Sequence, residues 1–224
     1  MANKGFGWVG EVMFTTDWGL LVALLTSWAD AWFGVSQAVK HIAKLPIEYE
    51  RAIYPEKQRI IDAIKDGIVA YFGDAHGHWY TANVKKEPVV ELHVDPDLSN
   101  NEGTGAMDDR DAMKFVFITH CTGMRKTEAA DWPNWAQAFS KGSTEGTVVI
   151  GLDIDKNEDF PLDPSGYVQF WYYFRFRWLR TFFHYVGINY TFQQSWEIAN
   201  ECHPDVAKYV RFYGDKNMTR LSLV

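Results

Sequence analysis

Between Tyr167 and Tyr185, 11 of 19 residues are aromatic, with Arg175, Arg177 and Arg180 set among them. Each Phe, Tyr or Trp hides roughly 150–250 Å² when buried. Ring surface on this scale needs a core, a second chain, a membrane surface or a ligand against it. Two periodicities fit the run. As a strand, Val168, Phe170, Tyr172, Phe174, Phe176 and Trp178 share one face, with Gln169, Arg175 and Arg177 on the other. As a helix, Gln169, Tyr173, Arg177, Arg180 and His184 form a polar stripe. Arg175 falls off that stripe and aromatic residues suit strands, so the spacing predicts a strand through about Trp178.

The 224 residues are 47% hydrophobic, enough to bury a sizeable core. Ten Trp exceed what a soluble core requires, and Trp concentrates at interface centres. A net charge of −7 opposes binding to a phosphate backbone, which sets nucleic acid aside as a main partner. Cys121 and Cys202 are too few for a disulfide framework and point to a reduced compartment. Glu11 and Asp17 precede the first apolar block, where a cleaved signal would be basic. Trp18 to Val39 carries one charge, Asp30, and leaves membrane association open. The location expected is cytoplasmic or membrane-peripheral.

Leu21, Leu25, Trp28, Trp32, Val35, Val39 and Ile42 recur at alternating steps of four and three, placing all seven on one helical face. A second amphipathic helix follows Pro55, with Ile60, Ile61, Ile64, Ile68 and Phe72 inward and Gly73 ending it. Strand-like segments follow at His78 to Val84, Val89 to Val94, Lys114 to His120 and Thr147 to Ile154. A helix is expected to start near Asp131–Pro133, and two short ones over Gln193 to Cys202 and Asp205 to Phe212. The expected fold is α+β: an N-terminal helical pair over residues 1–73, packed on a mainly antiparallel or mixed sheet within 74–224, with short C-terminal helices.

Four constellations could carry chemistry. Asp153, Asp155, Asn157 and Asp159 place oxygen ligands on alternate residues past a hydrophobic strand, as a divalent-metal loop does. Glu158 and Pro164 stand where an EF-hand has Gly and Glu, so the loop is not of that type. His120 and Cys121 follow a strand and precede Gly123 and Arg125, a candidate catalytic pair. Three residues separate Cys121 from Arg125, whereas the phosphate loop of cysteine phosphatases needs five. His76, His78 and His93 form a second candidate metal set, and Arg175, Arg177 and Arg180 a candidate anion site.

The sequence favours a structural or assembly subunit that binds a protein partner or itself through Leu21, Leu25, Trp28, Trp32, Val35 and Val39. A metal-dependent hydrolase or phosphoryl-transfer enzyme is the alternative, and a membrane-associated component the third. If the strands before Cys121 and Asp153 are parallel neighbours, their carboxyl ends share an edge, which is where open α/β sheets bind ligands.

Overall fold

A computed structural model describes residues 3–9, 38–53, 55–74, 77–82, 85–90, 98–99, 105–119, 123–124, 135–154, 159 and 164–224. Six strands form one mixed sheet: β1 (Lys4–Val9), β2 (Glu48–Ile53), β3 (Ala70–Asp74), β7 (Phe115–Ile118), β8 (Val148–Leu152) and β9 (Val210–Gly214). Their spatial order is β2-β1-β3-β7-β8-β9. The first five run parallel and β9 is antiparallel to β8. A separate antiparallel sheet is made of β4 (Gly77–Ala82), β5 (Lys85–Val90) and β6 (Leu98–Ser99).

Helices cover both faces of the large sheet, which explains why β7 and β8 are apolar throughout rather than alternating with polar residues. On one face, α1 (Lys57–Lys65) and α2 (Trp135–Ser140) bury Ile60, Ile64, Trp135 and Phe139 against Phe6, Tyr71, Val116, Ile118 and Val149. On the other, Phe72, Phe115, Phe117, Val148, Ile150 and Leu152 meet the long aromatic helix and the C-terminal helices. Successive strand residues point to opposite faces. Thus Tyr71 and Phe72, or Val116 and Phe117, serve different cores.

The expectation of a strand over the aromatic run is corrected by the structure. Residues 164–187 are helical: α3 (Pro164–Tyr173), a π turn (Phe174–Trp178) and α4 (Leu179–Gly187) follow without a break. The buried positions are Tyr167, Phe170, Trp171, Phe174, Trp178, Leu179, Phe182, Phe183 and Val186, steps of one, three and four that wrap one helical face. The polar stripe holds: Gln169, Arg177, Arg180 and His184 are exposed and Tyr173 is half-buried. Arg175 leaves the stripe without leaving the helix, because its guanidinium lies over the Trp171 ring, 4.6 Å from the centroid. Strand propensity loses here to a face of rings that fills the space above Phe117. The wider π turn resets the phase, so that Leu179, Phe183 and Val186 face inward in the second half.

The N-terminal helical pair is also corrected: a strand, β1, opens the described chain and lies inside the sheet between β2 and β3. Gly5 and Gly7 permit this, since a Cβ on either would collide with Ile47 or Tyr49. Most of the predicted stripe lies outside the described residues. Its end, Val39 and Ile42, belongs to a π-helical turn (Ala38–Ile42), with Val39 buried in the chain's own core. The helix after Pro55 ends earlier than expected, at Lys65. Gly67 then takes a φ of 79°, and Phe72 falls in β3. Arg110 satisfies the end of α1 by donating to the carbonyls of Ile64 and Ile68. The expected helix over Asp205 to Phe212 is instead a short α6 (Pro204–Ala207) followed by β9, which pairs with β8; α5 (Phe192–Cys202) is close to the expected span.

Phe117 faces four rings, with centroid separations of 6.5 Å to Phe174, 6.4 Å to Trp178, 6.0 Å to Phe182 and 5.7 Å to Phe183. Phe117→Ala should therefore lower the unfolding free energy by about 3–5 kcal/mol, as large core truncations do. Urea denaturation followed by Trp fluorescence measures it, and a loss under about 1 kcal/mol would contradict this packing.

Candidate functional site

Parallel strands deliver their following loops to one edge of a sheet. Here the carboxyl ends of β1, β3, β7 and β8 lie along that edge, with Gly73 opposite Ile118 and Ile118 opposite Gly151. β1 has β2 on one side and β3 on the other, so the strand order reverses there, and open α/β sheets bind ligands at the carboxyl edge of such a point.

The loop after β7 is tied to both neighbouring strands. The Thr119 backbone N–H donates to the Gly73 carbonyl at 2.8 Å, and the buried Thr119 hydroxyl donates to the same oxygen at 3.1 Å. At the other end, the Met124 N–H donates to the Leu152 carbonyl of β8 at 2.9 Å. Gly151 makes room for this return: a Cβ there would lie 2.7 Å from Met124 Cγ and 2.9 Å from the Ile118 carbonyl oxygen. The segment holding His120 and Cys121 is thus bracketed by contacts to β3 and to β8. His120 and Cys121 themselves lie outside the described residues, as do His76 and His93. His78 pairs with Val89 in the small sheet.

Of the acidic turn, Asp153 and Asp159 are described. The Asp153 N–H donates to the Tyr209 carbonyl at 2.8 Å, and its carboxylate lies 3.4 Å from the Arg211 guanidinium on β9. Asp159 is exposed. Asp155 and Asn157 lie outside the described residues, where Leu21, Leu25, Trp28, Trp32 and Val35 also fall. Among the described residues no group of three or more His, Cys, Asp and Glu could hold a metal ion, and no helix is long and apolar enough to cross a membrane.

The three arginines of the aromatic helix do not converge on one point. Arg175 covers Trp171, Arg177 lies over Tyr173 at 5.3 Å, and Arg180 is exposed further along. Arg177 acts on a residue that sequence reasoning missed. His203, whose Nε2 lies 3.0 Å from the Thr181 hydroxyl, is held below the usual histidine range first by burial and then by the Arg177 charge. No signal short of the packing of α4 on α5 would have found it. The free thiol among the described residues, Cys202, is exposed at the end of α5.

No family model matches the sequence, and no curated protein is significantly similar to it.

Two expectations follow from this geometry. Gly151→Ala forces the Ile118 carbonyl or the returning loop to move, and should cost roughly 1–3 kcal/mol in denaturant melts; an unchanged midpoint would show that the loop is not seated on β8. His203 is favoured neutral in the folded protein, so the unfolded chain takes up the proton first and folding loses stability as pH falls through about 6.5. Arg177→Gln should raise the His203 pKa in an NMR titration, and an unmoved titration would remove Arg177 as a cause.

Proposed function

We propose that this chain is a cysteine-dependent hydrolase, with Cys121 as nucleophile and His76 as general base. The observation that carries the reading is the adjacency of parallel β3 and β7, with Thr119 bonded twice to Gly73. Cys121 follows Thr119 by two residues and His76 follows Asp74 by two. At no more than about 3.6 Å per residue, His76 is tethered within roughly 7 Å of Asp74 and Cys121 within roughly 7 Å of Thr119. His76 follows the strand adjacent to β7, whereas His120 is next in sequence to the thiol.

In this reading the Cys121 proton passes to the His76 imidazole and the thiolate attacks the carbonyl carbon of an amide or ester. The carbon–nitrogen or carbon–oxygen bond breaks, the imidazolium protonates the leaving group, and a thioester remains on Cys121. Water, deprotonated by the same imidazole, then cleaves the thioester and restores the thiol. Metal-dependent chemistry at the acidic turn has less support, because the Arg211 cation beside the Asp153 carboxylate competes with a metal. An assembly role loses the support of the aromatic excess to the extent that the run fills the chain's own core.

Iodoacetamide labelling followed by peptide mass spectrometry tests the pair, with Cys202 as an exposed internal reference. Cys121 should alkylate faster than Cys202 near pH 6, and His76→Ala should return its profile toward an ordinary thiol near about 8.5. Hydrolysis of a mixed peptide-amide or peptide-ester library should fall on the order of 10³-fold or more in Cys121→Ala. Equal alkylation of both thiols, indifferent to His76, would sink the reading.

A further inference from the structure

We infer that the outer face of helix 164–187 docks a short acidic segment of a partner polypeptide, with carboxylates on Arg177 and Arg180 and an apolar side chain on Tyr172 and Phe176. The helix carries three Arg and no Asp, Glu or Lys, in a chain whose formal charge is −7; the rest of the chain therefore sums to −10, by subtracting +3 from −7. Despite that surplus of carboxylates, neither Arg177 nor Arg180 has an ion pair among the described residues, and both are exposed. His203, held low first by burial, also feels the Arg177 charge.

The apolar part of the face lies alongside. Tyr172 is 48% exposed, its ring is 4.9 Å from Phe176 and 5.6 Å from Tyr173, and Arg177 lies over Tyr173. Arginine held flat on a ring keeps its N–H edge free for a carboxylate. Residues three apart on a helix are neighbours on its surface, at about 5–6 Å between Cβ atoms. The two guanidinium groups can thus receive two side-chain carboxylates of one segment.

Charge complementarity also chooses the source of the anion. A membrane or a nucleic acid presents negative charge over a wide area and would confront the acidic remainder of this protein, whereas a single peptide segment can touch the cationic strip alone. A second copy carries the same net −7, and the repulsion between copies opposes self-docking.

The probe is a fluorescein-labelled ten-residue peptide of alternating Glu and Leu, with a Gln/Leu peptide as control, titrated into the full chain by fluorescence anisotropy. The Glu peptide should bind at low salt and at least tenfold more weakly at 0.5 M NaCl. The Arg177→Glu, Arg180→Glu double variant changes exposed positions, so it should keep the melting temperature and lose binding at least tenfold. Peptide binding should also raise the His203 pKa by NMR, a change absent from the double variant. Equal binding of the Gln peptide, undiminished binding by a folded double variant, or no binding at millimolar protein would overturn the inference. Tighter binding of a dT10 oligonucleotide or of vesicles containing phosphatidylserine would overturn it in favour of an extended polyanion, and salt-sensitive sedimentation as a dimer lost in the double variant would overturn it in favour of a second copy.

Discussion

The arrangement depends on the contact between Phe117 and the rings of helix 164–187. Phe117 sits on β7, with β3 on one side and β8 on the other, and it meets rings from the π turn and from α4. The helix connects β8 to the C-terminal helices and β9, so its seating also fixes where the antiparallel edge strand returns. Phe115 extends the same contact by stacking on Phe192 at 4.5 Å, which anchors the start of α5. One strand thus orders one whole face, and the opposite face of that strand, through Val116 and Ile118, holds α1 and α2.

Two central strands of the large sheet were legible, because they are short apolar runs between turn residues. β7 and β8 fall inside the expected segments, and Val148, Ile150, Leu152 and Ile154 do share one core. The aromatic run was not legible because both readings satisfy its pattern: aromatic residues at nearly every position make period two and period 3.6 fit equally well, and the π turn blurs the helical phase further. β1 escaped notice for the opposite reason. Its sequence, Lys-Gly-Phe-Gly-Trp-Val, is half small or polar, and its strand state comes from pairing on both sides rather than from propensity. β9 is likewise a tertiary result, formed by the edge that β8 offers.

The candidate site was legible in pieces only. The carboxyl ends of β7 and β8 do share an edge, the condition under which Cys121 and Asp153 become neighbours along it. Nothing in the sequence linked β3 to β7, whose pairing is a product of the sheet order. The Arg211 partner of Asp153 was hidden in the same way, since it arrives on a strand that was expected to be a helix. Side chains that act together across a parallel sheet are distant in sequence by construction, because each crossover consumes a dozen residues or more.

The two edges of the sheet are held in different ways. At the amino edge the chain closes on itself. Arg220 donates to the Lys44 carbonyl at 3.0 Å and to the Asn189 side chain at 2.8 Å, Asn3 donates to the Leu223 carbonyl at 2.6 Å, and Lys114 to the Val224 carbonyl at 2.8 Å. Gly187 packs so tightly that a Cβ would lie 2.4 Å from the Ile42 carbonyl oxygen. At this edge backbone carbonyls of the chain are taken up by side chains of the C-terminal segment and of Asn3 and Lys114. In the sequence, β3 ends on Asp74 with His76 two residues on, Cys121 follows β7 by three residues, and Asp153 follows β8. The carboxyl edge is held differently, by strand-end contacts within the sheet itself, Thr119 to Gly73 and Met124 to Leu152, so each edge contributes its own part to the stability of the fold.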